Sequence, residues 1–102
     1  MSDNRKASAL VTPTLHLNGS SADVLKDQFI EAARALRRAL EAMVNAAPND
    51  RDYYITVDNT GTQARREHEA RCAGVKAVLL EYEEILEGLQ EQIDQRDARK
   101  AR

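Results

Sequence analysis

From Thr60 to Arg102 the chain runs without a proline, and along it His68, Cys72, Val75, Val78, Leu79, Tyr82, Ile85, Leu86, Leu89 and Ile93 recur at intervals of one, three or four residues. That spacing gathers side chains onto one stripe of an α-helix. A long helix with one apolar stripe cannot stand in water by itself, so the rest of the sequence is read for what covers it. The helix is expected over about 62–96, and Thr60 and Gln63 have the spacing of a capping box. Arg96, Arg99, Lys100 and Arg102 suit the negative end of its dipole. Gly74 and Gly88 lie inside it, each disfavoured by about 1 kcal/mol relative to alanine. A close backbone contact is the expected reason to keep them.

The first partner for the stripe lies upstream. Leu25, Phe29, Leu36 and Met43 are spaced by fours and sevens, with Ala32, Ala39 and Ala46 three residues after the last three. Large residues alternating with alanine let two helix backbones approach closely. A second row of Ile30, Ala33, Leu40, Val44 and Ala47 widens this face beyond a two-helix seam. The helix is expected over about 21–46, started by Ser20 capping toward Asp23 and stopped by Pro48. Between the helices, the 14 residues of 48–61 make an unusually long connection. Its middle, Tyr53 to Val57, has β propensity, as does the alternating segment Thr12 to Leu17, and the two are expected to pair or to fold over the open end. Residues 1–8 read as a mobile terminus and 9–102 as one domain.

At 1.5 Å per residue the second helix reaches ~54 Å and the first ~39 Å. Paired antiparallel, they are expected to leave the segment after Leu89 overhanging, with Ile93 uncovered. Composition sharpens the shortage of cover: Leu, Ile, Val and Phe together number 21, whereas alanine alone contributes 16. The expected fold is therefore all-α, an antiparallel, coiled-coil-like helical hairpin with a short extended N-terminal segment. Two copies are expected to complete a four-helix bundle through Ile30, Leu40, Val44, Leu86 and Ile93.

Several functions are disfavoured. With 15 basic and 17 acidic residues interspersed, the net charge of -2 offers no field for nucleic acid or an anionic membrane. Arg34, Arg37 and Arg38 form one basic cluster, but Glu31 and Glu41 flank it. No stretch approaches the ~20 apolar residues of a membrane span, and the polar start lacks the apolar run of a secretory signal. The single Cys72 fits a reducing compartment, and the reading is cytoplasmic. His68 and Cys72, four apart, share a helix face as metal ligands can, yet a tetrahedral site needs two more. No glycine-rich phosphate loop, nucleophile triad or spaced carboxylate pair is evident, so no enzyme, cofactor or metal is expected.

What remains is binding. Arg51, Asp52, Tyr53 and Tyr54 put two of the four aromatic residues beside an arginine on a loop, a composition found at interface hot spots. The segments Thr14 to Ser20, Pro48 to Tyr54 and Arg66-Glu67-His68 resemble small helical proteins encoded by phages and prophages. The resemblance covers about a fifth of the chain and implies a viral accessory or structural context, hence the host cytoplasm, without assigning any residue a role. The expected function is a non-catalytic protein–protein interaction module that binds or blocks another protein. A structural assembly component is the alternative, and a nucleic-acid-associated protein is a weaker third.

Overall fold

A computed structural model of the chain describes residues 10–53 and 60–100. It is an all-helical hairpin of α1 (Ala22–Asn45) and α2 (Thr60–Lys100), with a single 3-10 turn at Asp50–Asp52 between them. No strand occurs among the described residues. The residues expected to be a mobile terminus, and Tyr54 to Val57 of the β-prone loop, lie outside them.

The start of α1 is set one residue later than the sequence suggests. Ser21, in extended backbone at φ -67° and ψ 155°, accepts from the Val24 N–H through its hydroxyl, 3.2 Å away. The N-cap is therefore Ser21 and not Ser20, which puts Asp23 in the first turn, where its carboxylate favours the positive end of the helix. At the far end the Ala46 N–H donates to the carbonyls of Ala42 at 3.1 Å and Met43 at 3.0 Å, and Ala47 donates to Val44 at 3.2 Å. The last turn tightens in this way because Pro48 follows and disfavours helical backbone at Ala47.

The pairing register corrects the expected overhang. Arg37 bridges to Glu83 at 2.6 Å. Ala22, at the start of α1, shares a surface hollow with Arg96, and Asp50 pairs with Arg65. The first helix thus reaches past Ile93, which is half-buried instead of uncovered. The length of α2 that α1 does not reach lies at its beginning, and the 49–53 turn sits beside it. A Cβ placed on Gly61 would lie 3.5 Å from the Tyr53 Cβ and 3.4 Å from Asp50 Oδ1. The described part of the connection, up to Tyr53, thus lies against the first turns of α2, which accounts for part of its length.

The core between the helices is thin. Four described residues are buried: Ala22 at 8%, Ala33 at 1%, Leu79 at 7% and Leu89 at 1% exposure. Two of these are alanines, Ala22 and Ala33, whereas Ala39 and Ala46, expected at the seam, are exposed. The large residues of the first row, Leu25, Phe29, Leu36 and Met43, are half-buried. Phe29 meets Tyr82 at a centroid separation of 5.6 Å and a tilt of 45°, a pair that adds about 0.5–1.5 kcal/mol beyond its area. Along α2 every residue of the stripe is at least half-buried except Val78.

The extended N-terminal segment does not cap the loop end of the hairpin. It docks on the last third of α2, where the Gln92 side chain accepts from the Leu15 N–H at 2.9 Å and donates to the Pro13 carbonyl at 2.8 Å. Thr12 rests on Gly88, where an added Cβ would meet its Cγ2 at 3.0 Å. The expected close contact at Gly88 is present, made by this arm and not by a helix. At Gly74 the expectation fails, because a Cβ there would meet nothing within 4 Å.

Candidate interaction surfaces

The turn at 49–53 is built from its first residue. Asn49 accepts from the Arg51 N–H through Oδ1 at 2.9 Å, and its carbonyl takes the Asp52 N–H at 2.9 Å. The Asp50 carbonyl takes the Tyr53 N–H at 2.9 Å, and the Asp50 carboxylate holds Arg65. An Asx turn stitched to α2 thus fixes a short loop segment. It presents Arg51 and Asp52 to solvent, whereas Tyr53 is half-buried. Tyr54 lies outside the described residues. Of the expected contact set, the turn brings Arg51 and Asp52 together at the surface and turns Tyr53 partly inward.

The residues expected to meet a second copy divide in the same way. Val44 is 65% exposed, whereas Ile30, Leu40, Leu86 and Ile93 are half-buried within the chain. Val24, Val78 and Leu80 add further exposed apolar side chains on the two helices, at 49%, 42% and 53%.

The arginine cluster is exposed but occupied. Arg34 and Arg38 both reach Glu31, each at 3.4 Å, and Arg37 is held by Glu83. Phosphate binding there would have to displace carboxylates already in place. His68 Nε2 lies 3.4 Å from Cys72 Sγ, both residues half-buried on the stripe. Glu67, beside them in sequence, is engaged by Gln63 at 3.0 Å and Arg71 at 3.8 Å. No group of three or more metal-ligating side chains forms among the described residues. The His68 and Cys72 contact is a packed polar pair one helical turn apart.

Two features at the other end of the hairpin escaped sequence reasoning. One is the Gln92 amide, which engages the arm through backbone atoms on both sides of Thr14. The other is a hollow of about 400 Å³ lined by residues 15–17, Gly19 to Ala22 and Arg96; the Nε of Arg96 is buried with no hydrogen-bond partner among the described residues. A signal for Gln92 was available: a polar residue three positions after Leu89 and next to Ile93 sits at the edge of the stripe, where an amide needs partners. No helix among the described residues is long and apolar enough to cross a membrane. In comparisons with known proteins, no family model, curated protein or solved structure matches the chain.

Proposed function

We propose that this chain is a non-catalytic protein–protein interaction module that acts as a homodimer, two hairpins forming a four-helix bundle and offering the 49–53 turn to another protein. The observation that carries the reading is the thinness of the core: among the described residues only four side chains are fully buried, two of them alanine, while the rest of the seam between helices of 24 and 41 residues is half-buried at most. Two helices covering each other so sparingly favour a second subunit. Val44, Ile30, Leu40, Leu86 and Ile93 are the residues assigned to that contact.

The pinned turn supports the recognition role, because a loop fixed by Asn49 and Asp50 loses little further freedom on binding. Engagement of Arg34, Arg37 and Arg38 by carboxylates favours a protein partner over a nucleic acid. A single free, half-buried Cys72 favours a reducing compartment, the cytoplasm. The test is affinity capture with the intact chain beside a Tyr53→Ala/Tyr54→Ala variant whose helix content is unchanged by circular dichroism. Loss of a specific partner from the variant supports the turn as the contact. Capture of the same partners by both chains removes it.

A further inference from the structure

The Gln92 clasp reads main chain alone. Its amide bonds one carbonyl and one N–H, two residues apart, so it accepts any extended segment whose residue over Gly88 is small enough to approach. The arm that fills it has an unusual profile. Leu10, Thr12, Pro13 and Leu15 are half-buried, whereas Val11 is 90% and Leu17 96% exposed. Leu17 stands at the hinge, the Asn18-Gly19-Ser20-Ser21 turn that leads into α1. That turn is closed by one backbone bond, Gly19 N–H to the His16 carbonyl at 3.2 Å.

From these features we infer that in the assembled protein the arm is exchanged: residues 10–17 of each copy lie across Gly88 and Gln92 of the other. The inference rests on the homodimer proposed above and names which segment completes each subunit. A second copy supplies the same carbonyl, N–H and threonine to the same clasp, so exchange keeps the contacts with Gly88 and Gln92 and gives up the His16 to Gly19 turn with the packing of the His16 ring against Gly19. In an exchanged pair the two hinges pass each other near the twofold axis. The residue they carry there is Leu17, the most exposed large apolar side chain among the described residues, with Val24 close behind it in sequence and 49% exposed. Exchange therefore moves into an interface the apolar groups that the closed chain leaves in water.

The experiment uses the contact itself. A Cβ at position 88 lies 3.5 Å from the Thr12 Cβ, within the roughly 3.5–4.5 Å that a disulfide spans. The full chain carrying Thr12→Cys, Gly88→Cys and Cys72→Ser is prepared in isotopically heavy and unlabelled forms. The two are mixed, refolded together and oxidised with glutathione, and the peptide bearing the 12–88 bridge is weighed. Exchange yields bridged peptides of mixed heavy and light mass and a covalent dimer on a non-reducing gel. Bridged peptides that are only all-heavy or all-light, from a protein that light scattering shows to be dimeric, overturn the exchange and leave the dimer standing. A folded monomer overturns both. Should the cysteine variant fail to fold, Gln92→Ala decides: loss of two hydrogen bonds per clasp weakens an exchanged dimer roughly tenfold or more for each clasp. An unchanged dimer affinity contradicts exchange.

Discussion

The two interior glycines of α2 make opposite predictions for the same substitution. Alanine is favoured over glycine in a helix interior by about 1 kcal/mol, through backbone entropy lost on folding. At Gly74 the new methyl would meet nothing within 4 Å, so Gly74→Ala is expected to return that whole gain. A domain of this size then melts roughly 4–8 °C higher. At Gly88 the same methyl would lie 3.0 Å from Thr12 Cγ2 and 3.1 Å from its Oγ1, so the arm must shift. The shift strains two hydrogen bonds from Gln92, worth about 0.5–1.5 kcal/mol each. Gly88→Ala is therefore expected to be neutral or destabilising. Adding Thr12→Ala removes both crowding atoms and leaves only the Cβ at 3.5 Å, an ordinary contact. The double variant should recover most of the propensity gain, a coupling that a double-mutant cycle measures directly. The assay is thermal unfolding by circular dichroism at one fixed protein concentration, since association shifts the midpoint. A Gly88→Ala variant that gains as much as Gly74→Ala would refute the placement of the arm on α2.

Other substitutions check separate parts of the structure. Ser21→Ala should cost about 1 kcal/mol through loss of the N-cap, with Ser20→Ala near zero, measured by urea titration of each. Leu89→Ala, at a site 1% exposed, should cost about 2–5 kcal/mol by the same titration, a large share of the stability of so thin a core. Gln92→Ala should speed hydrogen exchange at the Leu15 amide, whose partner it removes, while amides in the middle of α1 stay protected. Arg37→Ala, which breaks an ion pair whose side chains are 54% and 36% exposed, should change stability by less than about 1 kcal/mol.

The helices were legible because their signals are local. The stripe from His68 to Ile93 follows the period of an α-helix, and Pro48 can only end one, so both elements sit within a few residues of their expected places. The register was not legible. It depends on how far the connection runs back along α2, which is decided by Asp50 meeting Arg65 and Tyr53 lying beside Gly61, contacts that no periodicity encodes. With the register misplaced, Ile93 was expected to be bare, whereas Ala39 and Ala46 were placed at the seam from their heptad spacing and instead lie exposed, Ala46 as the C-cap just past the end of α1. The destination of the arm was hidden as well. Thr12 to Leu17 alternates as a strand does, but its partner is a glutamine side chain on a helix and not a second strand. The Arg51 to Tyr53 turn was legible as a loop through its composition, whereas the cap that Asn49 places on it needs both its side-chain oxygen and extended backbone at that residue, and the second is not written in the sequence.

The central claim is that two copies of this chain complete one fold, and sedimentation equilibrium across low to high micromolar concentration tests it most directly. The account predicts a species of twice the 11.4 kDa chain mass, with a midpoint of unfolding that rises with concentration. A fully helical, cooperatively unfolding species at the single-chain mass throughout that range would contradict it.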